Sequence, residues 1–406
     1  MSIEAAETRP ARHWPSALQF GFSLLALLGL LSLAALAFGG GLFGLAFQSL
    51  SRSDVASTFM SGFAFLASAA ILAVSAVYAY QGMYRRQLTW PWLDRLLALL
   101  RRRRGWLLLL SLSLGGLISQ SEGLSLVALP PVHALTVILI FVFVFLVAAR
   151  GLLKVSRQRA LGVLTSGMLL APLAVLPLEV IALLIILIVL VVYLGAQPAY
   201  ADLLAQLSNL EALTTSQEEL LDLLAPLAGD PFIFGLALFY IALLVPLVEE
   251  LLKPIGLYLS LNRDWTPAQG FALGALSGAG FALFENLALA VPSAEWLPVI
   301  AARIGTTAMH ILTSALFGWA LVRAKREKRY WLAPWGFFIS VLLHGLWNGL
   351  TIAASFSALA TEGSSALSFD AGLVAGMLIG LLVLGLGSLF LLSFNRKRLL
   401  AAEQKA

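Results

Sequence analysis

The sequence predicts an all-α fold, a polytopic transmembrane helical bundle of about ten spans, and three observations lead there. Of 406 residues 60% are hydrophobic and only 12% charged, whereas soluble domains carry about 25% charged residues. Apolar stretches of the roughly 20 residues that a helix needs to cross about 30 Å of hydrocarbon recur along the whole chain. The charged residues between them are sorted by sign, basic runs in some connections and acidic runs in others, as topology signals are.

The elements follow in order. The first stretch comes after Arg9, Arg12 and His13 and runs from about Ser16 past Ala37. That is longer than the apolar region of a signal peptide and has no clear small-residue cleavage site, so it reads as a retained span. Further spans are expected near 57–80, 106–128 and 131–152, the last two separated by the turn-forming Pro130-Pro131 pair. Trp90 to Arg104 (WPWLDRLLALLRRRR) combines aromatics, leucines and a basic end, and predicts an interfacial helix or a plain topogenic signal. The stretch from Leu161 to Ala196 is too long for one straight crossing and contains Pro172 and Pro177, so it is one kinked helix or two short ones. The remaining spans are expected near 231–259, 268–291, 297–321, 333–354 and 370–393.

Charge decides the ambiguous stretch. Basic runs occur at Arg85-Arg86 with Arg101 to Arg104, at Lys154 with Arg157 and Arg159, at Arg323 to Arg329 and at Arg396 to Arg398. The segment Gln197 to Asp230 holds Asp202, Glu211, Glu218, Glu219, Asp222 and Asp230 without a single Lys or Arg, and the connection with Glu362 and Asp370 is also acidic. With one crossing over 161–196, every basic run falls on the cytoplasmic side with both termini, and both acidic segments fall outside. The net charge of +5 therefore reports orientation in a lipid bilayer and implies no nucleic-acid partner. The chain has no cysteine, which excludes disulfides, thiolate chemistry and Cys-based zinc sites. Ser216-x-x-Glu219 has the spacing of a helix cap, and the acidic segment is a candidate for substrate selection. No fixed-period repeat is visible.

Ionisable residues sit in the apolar runs of the four spans between Phe232 and Ile352, whereas the earlier spans are nearly clean and carry no comparable cluster, Glu179 after Pro177 being the exception. LVPLVEELLKP carries Glu249, Glu250 and Lys253. Glu249 and Lys253, four apart, share a helix face, while Glu250 is rotated by about 100° from Glu249. FALFENL carries Phe281, Glu285 and Asn286, MHILTSALFG places His310, Ser314 and Gly318 on one stripe, and LLHGLWNG pairs His344 with Asn348. Each intramembrane charge costs about 2.5–3.5 kcal/mol on insertion scales. Any one of these residues has a structural explanation, as an interfacial ion pair, a snorkelling carboxylate or a packed imidazole. Four consecutive spans carrying them do not.

Carboxylates with two imidazoles suit the activation of water. A glutamate can take the proton, an imidazole can orient the water or protonate a leaving amine, and the Asn348 amide can donate to an oxyanion. The same side chains could bind zinc with a position left open for water. Straight helices would put Glu250 and Glu285 at different depths, so a shared site needs a bend at Pro254 and along Gly274, Gly278 and Gly280, or a protruding turn.

The order EExxK (Glu249, Glu250, Lys253), FxxxE-N (Phe281, Glu285, Asn286), a His with Gly eight residues on (His310, Gly318) and HxxxN (His344, Asn348) resembles the PrsW family of intramembrane proteases, within the CAAX-prenyl-protease and bacteriocin-processing superfamily. The resemblance covers residues 231–353. It divides the chain into an N-terminal membrane region 1–230, a catalytic four-span core 231–353, and a loop, last span and basic tail over 354–406. It implies a peptidase in the plasma membrane with Glu249, Glu250, Glu285, His310, His344 and Asn348 as site residues, Glu285, His310 and His344 as ligands if zinc is used, and a membrane-anchored protein, such as an anti-sigma factor, as substrate. Both a metal-dependent and a glutamate-driven mechanism fit. The competing readings are a proton- or ion-coupled transporter, which would spread such residues along a path through both halves of the chain, and an inactive scaffold that kept the motifs. Confinement to one block of spans favours the enzyme.

Overall fold

The computed structural model describes residues 14–84, 90–208, 227, 229–360 and 371–405. Among them every regular element is helical. The long helices are α1 (Trp14–Phe47), α2 (Arg52–Tyr84), α3 (Pro91–Ile118), α4 (Leu129–Ala149), α5 (Arg157–Ala196), α6 (Pro231–Tyr258), α7 (Pro267–Ala288), α8 (Trp296–Glu327), α9 (Leu332–Ala360) and α10 (Ala371–Lys405). All except α3 are long and apolar enough to cross a membrane, and the chain is a multi-pass all-α bundle.

One element differs from the sequence reading and a second settles an alternative left open in it. The Trp90–Arg104 stretch is not a separate helix but the first half of α3. Pro91 starts that helix where a missing N–H costs nothing, and between Arg104 and Leu107 only Gly105 weakens it, which is too little to end a helix. The apolar part left to α3, Trp106–Ile118, is shorter than a crossing requires, and a turn at Ser119 separates it from the short helix Glu122–Val127. The second is α5, which runs unbroken through Pro172 and Pro177, in agreement with the single crossing read from charge. A π-turn over Ser166–Leu170 precedes Pro172 and accommodates the carbonyl that proline leaves without a donor. Arg85, Arg86, Glu211, Ser216, Glu218, Glu219, Asp222, Glu362 and Asp370 lie outside the described residues.

The chain divides into two compact units. The first comprises Met1–Phe143, Lys154–Thr165 and Leu283–Ala301. In it α1 and α2 pack antiparallel through small residues: a side chain at Gly41 would meet the Phe59 ring, and one at Gly62 the Phe38 ring. Such close approach is how helices associate where lipid is as apolar as leucine. Polar side chains join them inside, with Gln19 Nε2 donating to Ser75 Oγ at 3.1 Å and Ser23 and Ser75 hydroxyls 3.0 Å apart. Trp296 is fully buried here, its indole N–H donating to His133 Nδ1 at 3.2 Å and its ring filling the space that Gly115 leaves open.

The second unit comprises Val144–Leu153, Ser166–Ala282 and Ala302–Ala406. Entry to α6 is set by Asp230. One carboxylate oxygen accepts from the Phe232 and Ile233 amides at 2.8 and 3.2 Å, capping the helix ahead of Pro231, and the other accepts from the Tyr193 and Tyr200 hydroxyls at 2.8 and 2.7 Å. Partial burial pulls this carboxyl upward, but the four donors outweigh it and hold it below the usual carboxylate range. Burial and the Asp230 charge push the Tyr200 phenol up to about 12. Because the folded carboxyl is the more acidic, its contribution to stability is present above the ordinary Asp value of about 4 and is lost as pH falls below it. Asp230→Ala is expected to cost about 1–3 kcal/mol, read as a lower thermal midpoint in detergent that is largest near neutral pH.

Candidate active site

α6 is built to present its polar residues at one level. Pro246 has no N–H, so the carbonyl of Ala242 loses its helical donor, and the helix widens into a π-turn over Phe239–Leu244. α9 fits onto this turn. Gly345 has no side chain where the Ala242 carbonyl projects, and Asn348, three residues on and on the same face, donates Nδ2 to the Ile241 carbonyl at 2.9 Å. That docking brings in His344, the neighbour of Gly345. At its other end α6 breaks at Lys253-Pro254 and resumes as one turn over Ile255–Tyr258. The break does occur at Pro254, whereas α7 continues as one unbroken helix through its glycines.

Those glycines serve contact instead. Gly270, Gly274 and Gly278, four apart on α7, face Gly318, Ser314 and His310 on α8. A Cβ at Gly278 would stand 2.6 Å from the His310 carbonyl, and one at Gly274 would collide with that of Ser314. The stripe His310, Ser314, Gly318 visible in the sequence is therefore the other half of a backbone-to-backbone interface, and it fixes the height of His310. From the same helix Ser277 Oγ donates to the Lys253 carbonyl at 2.5 Å, and Phe281, one turn on, lays its ring against His310 with centroids 5.8 Å apart.

Five polar side chains meet at this level. Glu249, Glu250, Lys253, His310 and His344 are all no more than 5% exposed. Lys253 Nζ lies 2.8 Å from Glu250 Oε1, 2.7 Å from Glu249 Oε2, 2.6 Å from His310 Nδ1 and 3.4 Å from His344 Nδ1, and 4.7 Å from the centre of the Phe281 ring. His344 Nδ1 is also 2.9 Å from Glu250 Oε1. The contact to Glu250 is the shorter of the two at this nitrogen, and since a carboxylate accepts, Nδ1 is the donor in it and the 3.4 Å approach of Lys253 is not a directed hydrogen bond. His310 Nδ1 faces an ammonium, which can only donate, so that imidazole is the acceptor there. The two rings meet edge to face at 4.8 Å.

Ligand atoms of Glu249, His310 and His344 lie within 4.8 Å of one another. Among the described residues Glu250 Oε2 is buried without a hydrogen-bond partner, and Glu249 Oε2 meets Lys253 as an ion pair without a directed hydrogen bond. Two imidazoles with carboxylate oxygens whose accepting capacity is unmet form a donor set that fits zinc. The carboxylate in that set is Glu249. Glu285, one turn or about 6 Å beyond Phe281 along α7, belongs to the first unit and is partly exposed, and Asn286 beside it is buried. The sequence pairs Lys253 with Glu249 alone, whereas in the structure it lies within 3.4 Å of four polar side chains of the cluster. Its signal was there to find, a lysine three and four residues after two carboxylates and directly before a helix-breaking proline.

No curated protein and no solved structure matches the chain significantly. Residues 208–385, a little under half of the chain, match the family described as PrsW family intramembrane metalloprotease, and that segment contains the whole cluster.

Proposed function

We propose that the protein is an intramembrane endopeptidase of the PrsW type that cleaves membrane-anchored proteins with a water activated by the Glu/His cluster. The observation that carries this reading is the burial of two carboxylates, two imidazoles and an ammonium at one level of an apolar helical bundle. So many buried polar groups are costly unless they act, and they are of the types that hydrolysis needs. Glu249, His310 and His344 would hold a zinc ion. When bound, such an ion polarises a carbonyl oxygen and acidifies water. Glu250 holds the His344 ring by accepting from Nδ1, the arrangement that raises the basicity of the opposite nitrogen. His344 Nε2 is then the nitrogen free to ligate or to carry a proton. One N–H of Asn348 is taken by Ile241, and the second would serve an oxyanion.

The reading extends to location and substrate. The apolar spans support a plasma-membrane protein, and both termini are cytoplasmic only if α3 and the short helix Glu122–Val127 together make a tenth crossing. The substrate class it favours is a protein anchored by a transmembrane segment, of which an anti-sigma factor is one instance. A transporter is disfavoured because the cluster sits at one level and not along a path.

The test is elemental analysis of protein purified in detergent, equilibrated with excess zinc and freed of unbound metal. About one zinc per chain is expected in the wild type and in Glu285→Ala, and none in Glu249→Ala, His310→Ala or His344→Ala. Cleavage of a reporter with one transmembrane helix should be lost in the same three variants. Cleavage by wild type without stoichiometric metal would move the mechanism to glutamate-activated water.

A further inference from the structure

The Glu249–His310–His344 group is not open, because the Lys253 ammonium stands 2.7 Å from Glu249 Oε2, 2.6 Å from His310 Nδ1 and 3.4 Å from His344 Nδ1. Its distances of 2.6–2.8 Å to His310 Nδ1, Glu249 Oε2 and Glu250 Oε1 are hydrogen-bond and ion-pair lengths. Zinc ligands stand closer, at about 2.0–2.2 Å, so the cage in this arrangement has the dimensions of an ammonium. An ammonium has three N–H groups, yet four polar side chains and the Phe281 face crowd Nζ, and a divalent ion cannot share that point with it.

Nor does the lysine reach this group by accident of a long side chain. Its backbone is held on both sides, the carbonyl by Ser277 Oγ and the amide by the Glu249 carbonyl at 2.7 Å, and Pro254 fixes the chain that follows. The side chain is fully buried. Its charge meets two carboxylates and so leaves one in excess, a balance that favours exchange for a doubly charged ion.

We infer that Lys253 is the resident cation of this site and that metal and ammonium exclude one another, so that Lys253 sets the metal affinity and holds the metal-free site in a resting form. This rests on the reading of Glu249, His310 and His344 as ligands but not on proteolysis.

The experiment is equilibrium titration of the full-length detergent-solubilised protein with zinc alone, for wild type, Lys253→Met, Lys253→Gln and Lys253→Arg. Removing the charge is expected to tighten zinc binding at least about tenfold, the lower end of what groups beside a metal site usually alter. Lys253→Arg, which keeps a permanent charge, should bind no more tightly than wild type. Equal affinity in wild type and both neutral variants, or weaker binding in neutral variants that keep native helix content and elution volume, would overturn the inference. If neither neutral variant folds, the wild type decides alone. Saturation with zinc should then expose Lys253 to a small acylating reagent that does not reach it without metal, and unchanged labelling refutes displacement. Absence of cleavage in every protein, with zinc affinities still in the expected order, would instead count against the protease reading.

Discussion

Glu250→Gln is expected to lower cleavage of a membrane-anchored reporter by about 10–100-fold per folded molecule. The change keeps the shape of the side chain and removes its charge. Glu250 Oε1 accepts both from Lys253 Nζ at 2.8 Å and from His344 Nδ1 at 2.9 Å, so one substitution disturbs three members of the cluster. The amide still accepts at its oxygen, but its nitrogen must go where the buried Oε2 now lies, which has no hydrogen-bond partner among the described residues, and a donor placed there needs an acceptor that the carboxylate did not. Lys253 is left with one carboxylate, and breaking a buried ion pair by removing one partner typically costs about 3–5 kcal/mol. The thermal midpoint should therefore fall along with activity. Glu250→Asp restores the charge one methylene short of both donors and should recover stability more than rate. As a control, Asp94→Asn, which opens a half-exposed pair with Arg157, should leave both nearly unchanged, as surface pairs usually do.

The helical class and the order of spans were legible because the membrane imposes them. Backbone groups in hydrocarbon must bond within the helix, so an apolar run of sufficient length has one solution, and charge sorting resolved α5 into a single helix. α3 was not legible in the same way. Whether Arg104 ends a helix depends on the competition between four arginines and continuing backbone hydrogen bonds, and no proline or capping side chain lies there to decide it.

The cluster was legible in part for a related reason. Pairs within one helix follow from the 3.6-residue period, so Glu249 with Lys253 and His310 with Ser314 could be read directly. Which residues of different helices stand at one height could not. That height depends on the π-turn at Phe239–Leu244, the break at Pro254 and the registry of α7 against α8. Each of these is a tertiary outcome of a residue whose local signal is ambiguous: Pro246, Pro254, Gly278. The position of Lys253 within the cluster and the standing of Glu249 with the two imidazoles both follow from them.

The registry of α7 against α8 leads to the second large effect. Gly278→Val is expected to abolish activity and strongly destabilise the protein, although it alters no group that touches substrate or metal. A Cβ at this position would stand 2.6 Å from the His310 carbonyl and 2.5 Å from Ser314 Oγ, and the valine methyls extend further. The carbonyl belongs to a helix that cannot rotate a backbone atom out of the way, so the two helices must separate. Overpacking in a filled core usually costs about 1–3 kcal/mol, and a backbone neighbour puts this case at or above the upper end. Separation also moves His310 away from Lys253 and Glu249, so metal binding should fall with stability. Gly278→Ala brings the Cβ alone and should cost less, with partial activity. Gly40→Ala on α1, where a Cβ has nothing within 4 Å, should leave the thermal midpoint unchanged or raise it slightly, since alanine favours a helix over glycine by about 1 kcal/mol. Midpoints and zinc stoichiometry measured together on the three variants separate the two effects. A Gly278→Val protein with a wild-type midpoint and a full complement of zinc would show that α7 and α8 do not approach this closely.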